Sequence, residues 1–436
     1  MEGGVPGKMG AVITERGEPA ARSRPVRRRM AAVLTTLAIV AVASGCANAS
    51  SAQRADPSSK AAVTEASSGR RSGPEIFTGA LEDFYVVPDP LPRGRPGELI
   101  RVQEVSEANG HVTLRIMYHS RDAQDHDRAV TGIVTYPTAP PPKRGWPVIS
   151  TAHGTTGLAS QCAPSRFGGE APGWGVDGVW VMTDYIGLGP VGELHPYLSK
   201  TAEGNAVIDA VRAVRRLPDA HASKRWVSIG HSQGGHGAIA AAELAHEHAP
   251  ELRLVGTVAL APGATFDRVY GGIDPIVTTI LTLMGLYGGA SEHPDIDVTD
   301  YVTPAAHRVA ESVIETGCLD EITEALVPVA VAGAFTADPR TTEPARSIIL
   351  RNDVGNVSVK KAPLFLASGT LDDRVVIERF RDLFDRLCAN GQVTEFVVVE
   401  GATHGSVIPL TSTQVTDFIE DRLARREPVD SCPSGS

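Results

Sequence analysis

Short, nearly continuous apolar runs separated by stretches with helical spacing govern the chain from about residue 147 onward. The runs at 147–152, 179–183, 226–230 and 254–260 have the character of strands buried on both faces. Between them, Ala206, Val207, Ala210, Val211 and Val214 share one face of a helix over 203–217, and an alanine-rich helix follows over Gln233–His248. This alternation predicts a mostly parallel central sheet with helices on both faces, an α/β protein. Ahead of it, 112–118 alternates apolar and polar positions and 129–136 follows a polar turn, so the sheet opens antiparallel.

The rhythm breaks after Pro262. Residues 266–351 carry helical runs at 275–286, 304–315 and 319–333 with no strong strand. It then resumes with strands at 362–367 and 395–399 and helices at 375–388 and 411–425. Such an insertion predicts a helical cap over the C-terminal edge of the sheet, where open α/β sheets take ligands. A separate helical domain is the alternative. The expected organisation is a core over 75–265 and 352–436 enclosing a cap over 266–351.

Composition adds a destination. The net charge of −10 argues against a nucleic-acid partner, because phosphate binding needs concentrated Lys and Arg. Basic residues cluster only at Arg22, Arg24 and Arg27 to Arg29, ahead of an apolar run over 30–44 that suits a signal-peptide core and is short for a bilayer span. Residues 1–46 are therefore read as an export leader. Cys46 closes Ala43–Ser44–Gly45–Cys46, which looks like a lipobox with Ala43 where Leu is usual; lipidation there would anchor the protein at a membrane surface. Ordinary cleavage after Ala49 is the alternative. Either way four cysteines remain, Cys162, Cys318, Cys388 and Cys432, an even number suited to an oxidising compartment. Residues 47–74, rich in Ser, Ala and Gly, read as a disordered tether.

The chemistry centres on Gly230–His231–Ser232–Gln233–Gly234, a strand running into Gly-x-Ser-x-Gly and then a helix. A serine hydroxyl is a weak nucleophile until a base takes its proton and a carboxylate steadies that base. In this arrangement the order along the chain is Ser, acid, His. Asp372 follows the strand ending at Ala367, and His404 lies in the glycine-flanked loop after the next strand. Asp373 competes for the acid's role, although its spacing from Gly369 is less favourable. His236, His246 and His248 lie on the helix after the elbow and are assigned to its surface. An oxyanion needs two donors, expected from the N–H of Gln233 and from Thr155 or Thr156 in the loop His153–Gly154–Thr155–Thr156–Gly157. No metal-ligand spacing and no nucleotide fingerprint accompanies these residues, so neither a metal nor another cofactor is expected.

With these pieces assembled, the chain resembles the secretory lipase family, the fungal lipase-A type and its actinobacterial relatives. The likeness spans about residues 80–432. Besides the elbow with its doubled glycine, Asp372 and His404, it rests on Cys162–Ala163–Pro164–Ser165, Thr183–Asp184–Tyr185 with Gly187, Ala249–Pro250–Glu251–Leu252 and Gly317–Cys318–Leu319. The resemblance implies an α/β-hydrolase fold with a helical cap, a Ser232–Asp372–His404 triad, and disulfides Cys162–Cys318 and Cys388–Cys432. Val376 departs from the proline frequent in the family after the acid loop, and the fungal members' long C-terminal flap has no counterpart before Ser436. The expected activity is hydrolysis of a small-molecule or lipid ester; an acyltransferase on the same triad, or a catalytically silent surface binding protein, is the alternative.

Overall fold

The computed structural model describes residues 73–433 apart from Lys360. The leader, the Cys46 lipobox and all but the last two residues of the tether lie outside the described residues. Among those described, the strands are β1 (Glu75–Ile76), β2 (Leu99–Ala108), β3 (His111–Arg121), β4 (Asp127–Pro137), β5 (Trp146–Ala152), β6 (Val179–Thr183), β7 (Ala222–His231), β8 (Arg253–Leu260), β9 (Leu364–Gly369) and β10 (Thr394–Val399). The helices are α1 (Leu81–Phe84), α2 (Lys200–Val214), α3 (Gln233–His248), α4 (Pro275–Glu292), α5 (Pro304–Val313), α6 (Leu319–Ala332), α7 (Ala345–Arg351), α8 (Ile377–Ala389) and α9 (Val407–Ala424).

All ten strands join one sheet, ordered β1-β2-β3-β4-β6-β5-β7-β8-β9-β10. From β6 to β10 the pairs are parallel, and β2, β3, β4 and β6 pair antiparallel in sequence. The two faces can be followed in β9, where side chains alternate. Leu364 and Leu366 pack with Ile239 of α3 and Phe380 of α8, while Phe365 and Ala367 pack with Val415 and Phe418 of α9. Helices thus cover the sheet on both sides, the α/β-hydrolase fold.

Between β8 and β9, α4 to α7 build a core of their own, in which Ile280, Leu283 and Met284 meet Ile322 and Leu326. Leu158 and Tyr197, from loops after β5 and β6, enter that core. The disulfide Cys162–Cys318 ties the loop after β5 to the first turn of α6, with Cα atoms 5.4 Å apart, and Cys388–Cys432 ties the end of α8 to the C-terminal segment at the same separation.

Several elements depart from the sequence pattern: β1, α1 and α7 have no counterpart in it, and α2 spans Lys200–Val214 rather than 203–217. β2 also lies outside that pattern, because its outer half is largely exposed and carries Glu104 and Glu107 without a clean apolar–polar alternation. α9 begins at Val407 rather than 411. Pro409 falls in its first turn, where a missing N–H breaks no helical hydrogen bond, so it does not mark the boundary that its position suggests.

Candidate active site

The turn between β7 and α3 holds Ser232 at φ 60°, ψ −120°, a conformation that costs a non-glycine residue about 1–3 kcal/mol. The strand ends around it keep it there. Its N–H donates to Leu260 O at the end of β8 (2.9 Å), and its carbonyl accepts from the N–H groups of His236 and Gly263 (3.2 Å each). Glycine is required on either side: a Cβ on Gly230 would lie 2.1 Å from Gly234 O, and one on Gly234 would lie 2.0 Å from Ala152 O. The elbow is therefore wedged against the end of β5, with the N-terminus of α3 opening beside the serine.

Asp372 and His404 sit in the loops after β9 and β10. His404 Nδ1 lies 3.0 and 2.9 Å from Asp372 Oδ1 and Oδ2, and both side chains are buried. The carboxylate is anchored again by the N–H groups of Arg374 (2.9 Å) and Val375 (2.8 Å). Burial alone would raise the Asp372 pKa; the His404 contact and these two N–H donors outweigh it, and the net shift is downward. Asp373 is exposed.

Ser232, Gln233, His404 and Thr155 all line one cavity of about 440 Å³ beneath the inserted helices. Thr155 Oγ1 lies 2.8 Å from the Tyr197 hydroxyl. Thr156 is not among the lining residues; its carbonyl accepts the N–H of Leu319 (2.8 Å), and Gly157 bridges Cys318. The loop that carries Thr155 is thereby stitched to the start of α6.

Several further groups around the site play parts that the sequence reading did not give them. His231, inside the elbow, donates from Nε2 to His404 O (2.7 Å), with ring centroids 4.5 Å apart. Burial, and then repulsion from His404, pull its pKa to about 4, so it braces the His404 loop as a neutral ring. Behind the elbow lies a sealed polar network centred on Glu203 of α2. Glu203 Oε2 accepts from His236 Nδ1 (2.7 Å), and Oε1 accepts from Gln233 Nε2 (2.8 Å) and from the N–H of Leu198 (3.0 Å). His195 Nδ1 donates to Ile186 O (2.7 Å), which leaves its Nε2 to accept the second Gln233 amide proton (2.8 Å). His236 Nε2 donates onward to Asn352 O (2.8 Å).

His236 therefore uses both ring nitrogens as donors and is cationic, against an anionic Glu203. Burial opposes both charges, but their mutual attraction raises the His236 pKa and lowers that of Glu203. This corrects the surface assignment of His236, which is fully buried; His246 is exposed, and His248 reaches Asp209 at 3.0 Å. A lone acid on an otherwise small and apolar helix face, Glu203 in line with Ala206, Val207 and Ala210, is the signal that could have found the network. Among the described residues no group of three or more His, Cys, Asp or Glu is arranged to hold a metal ion, and no helix is long and apolar enough to cross a membrane.

A capped α/β-hydrolase core with a strained serine at its strand-to-helix turn defines the class. The chain belongs to the secretory lipase family, whose profile matches residues 172–431. It is 25% identical over 245 residues to lipase A from Moesziomyces aphidis, a match that spans half of each chain. It is 23% identical over 392 residues to a probable inactive lipase of Mycobacterium tuberculosis, covering 80% of this chain and 83% of that one. Among solved structures, Candida antarctica lipase A in its closed state superposes with a TM-score of 0.69 at 20% identity, over 80% of this chain and 87% of that one. The rice cell wall degrading esterase LipA from Xanthomonas oryzae gives 0.65 at 16% identity, over 77% and 100%. The family is that of the secretory lipases, and the fold is shared with these lipase and esterase structures.

Proposed function

We propose that the chain is an exported serine carboxylic-ester hydrolase in which Ser232, His404 and Asp372 act as a triad. Ser232 Oγ attacks the ester carbonyl while His404 Nε2 takes its proton and passes it to the departing alcohol. Asp372 holds the imidazole in the Nδ1–H tautomer and steadies the imidazolium. The N–H of Gln233 at the head of α3, with Thr155 across the cavity, stabilises the oxyanion; water then adds to the acyl-enzyme and releases the acid. Thr155 is preferred to Thr156 because it borders the cavity.

The observation that carries this reading is the pairing of His404 with a doubly anchored carboxylate, 2.9 Å away, on the same cavity as Ser232. Among the described residues Ser232 Oγ makes no hydrogen bond; such contacts commonly tighten only once substrate is bound. Ser232→Ala should cut hydrolysis of 4-nitrophenyl butyrate by several powers of ten, and turnover close to wild type would reject the assignment. Family membership and the two disulfides support export. Lipidation of Cys46 is the finer part of that proposal; a mass difference at the mature N-terminus would read it.

The name of the Mycobacterium tuberculosis relative, a probable inactive lipase, favours one second reading, a silent surface binding protein. Well-folded protein that fails to hydrolyse any ester and whose Ser232 ignores a fluorophosphonate would favour it.

A further inference from the structure

The cavity below the inserted helices is apolar where Val277 and Leu281 of α4 border it, yet Arg268, Arg340, Arg374 and Arg379 line it too, with Glu292 and Asp320 as its carboxylates. Three of these six charges are already engaged. Arg268 Nη1 donates to Asp382 (2.7 Å) and Arg340 chelates Asp338 through Nε (2.9 Å) and Nη2 (2.7 Å). Glu292 accepts from the N–H of Ala123 (3.1 Å) and from Ser199 Oγ (2.7 Å).

Arg379 differs. No hydrogen bond or ion pair engages its guanidinium among the described residues; its Nε is buried without a partner, and Cζ lies over the ring of Tyr270, 5.0 Å from the centroid. Asp353, whose charge reaches it, is taken up by Arg386 (2.6 Å) and by the N–H groups of Thr265 (2.8 Å) and Phe266 (3.1 Å). The stacking ring is itself fixed, since the Tyr270 hydroxyl donates to the carboxylate oxygen that holds Arg268 (2.7 Å). Structural arginines elsewhere in this protein find acceptors: Arg101 donates to three backbone carbonyls, and Arg212 to Glu251 and Asp209. A half-buried guanidinium at the wall of a cavity, lying over an aromatic ring with its Nε sealed from solvent and no anion beside it, lacks the partner such a group requires. Arg374, two residues beyond Asp372 and exposed to solvent, adds a second cation at the border of the same cavity.

We propose that Arg379, seconded by Arg374, is a subsite for an anionic oxygen group, carboxylate or phosphate, carried by the ester substrate, so that acidic esters are preferred to neutral ones of the same shape. The inference rests on the ester-hydrolase reading. A planar fork of N–H donors meets such a group in two parallel hydrogen bonds, while the apolar wall takes hydrocarbon. The net charge of −10 works against anions at long range, so a preference for them must arise locally.

The test compares kcat/KM for matched pairs in two arms. One places the charge on the acyl side, 4-nitrophenyl hydrogen suberate against 4-nitrophenyl octanoate. The other places it on the alcohol side, 4-carboxyphenyl butyrate against 4-carbamoylphenyl butyrate. The acidic member is favoured at least tenfold in one arm, which tells where the anion sits; the ratio falls to about one in Arg379→Gln and is partly kept in Arg379→Lys. Because each variant is compared with itself, loss of folded protein cancels. Ratios of one or less in both arms of the wild type, or a ratio that Arg379→Gln leaves unchanged, overturn the proposal. If no ester is turned over, the hydrolase reading has failed instead. The subsite is then read by calorimetric titration of suberate and of 4-hydroxybenzoate into the intact protein: Arg379→Gln weakens one of them at least tenfold, and equal binding by the two proteins overturns it.

Discussion

Two buried pairs of a carboxylate and a histidine flank the serine elbow, and they are built to opposite ends. In Asp372–His404 the carboxylate engages one ring nitrogen of an imidazole that borders the cavity, leaving the other nitrogen without a hydrogen bond among the described residues. In Glu203–His236 both ring nitrogens donate, one to the carboxylate and one to Asn352 O, and nothing is left over. The first can accept a proton; the second already has both of its own and serves as a buried ion pair tying α2, α3 and the residue after α7. Proximity of Asp or Glu to His therefore does not mark a catalytic dyad. The proposed dyad differs in having an unspent nitrogen on the cavity that Ser232 also borders.

The sharpest way to break this contrast is to remove each histidine in turn. His404→Ala should lower ester turnover by about four to six powers of ten with the melting temperature little changed. His236→Ala should instead destabilise the protein by about 3–5 kcal/mol, since Glu203 would be left as an uncompensated buried charge. Denaturant unfolding beside initial rates reads both, and a collapse of turnover in well-folded His236→Ala would erase the distinction.

Acid should probe the same region next. His153 and His231 are held neutral mainly by burial, their pKa values pulled from 6.5 to about 4. Between those limits the unfolded chain binds protons that the folded one does not, so stability falls as pH falls through that window. Asp372, whose pKa is depressed, adds to the loss below the ordinary carboxylate range. His236 acts in the opposite sense: its pKa is raised, so its contribution is complete at low pH and is lost as pH rises through the folded-state value. Melting temperature against pH should thus peak near neutrality, and a flat profile from pH 6.5 to 4 would contradict the burial of two neutral rings.

A smaller effect separates position from chemistry. Glu203 fixes the side chain of Gln233, whose N–H is the proposed oxyanion donor. Glu203→Gln should lower kcat by about tenfold with KM nearly unchanged, because the lost alignment matters mostly in the transition state. A rise in KM at constant kcat would assign Glu203 to substrate binding instead.

How much of this the sequence carries depends on how local each feature is. Ser232, with glycines two residues to either side, is legible because the turn forbids side chains there. Asp372 and His404 are legible because each follows an apolar run that becomes a parallel strand, which brings both to the edge of the sheet that holds the serine. The partners of His236 are not legible, because Glu203 and Asn352 are 33 and 116 residues away and meet it only through the packing of α2 on α3 and the return of the chain after α7. Tyr270 and Arg379 are hidden for the same reason. Neither belongs to a motif, and their stack arises only when the start of α8 closes on the segment ahead of α4.

The measurement that bears most directly on the contrast between the two pairs is the site and rate of fluorophosphonate labelling, read by peptide mass mapping in wild type, His404→Ala and His236→Ala. The account predicts a single adduct on Ser232 that forms readily in wild type, forms in whatever fraction of His236→Ala is folded, and is nearly abolished in folded His404→Ala. Equal labelling of Ser232 with and without the His404 imidazole, or an adduct on another serine, would contradict it.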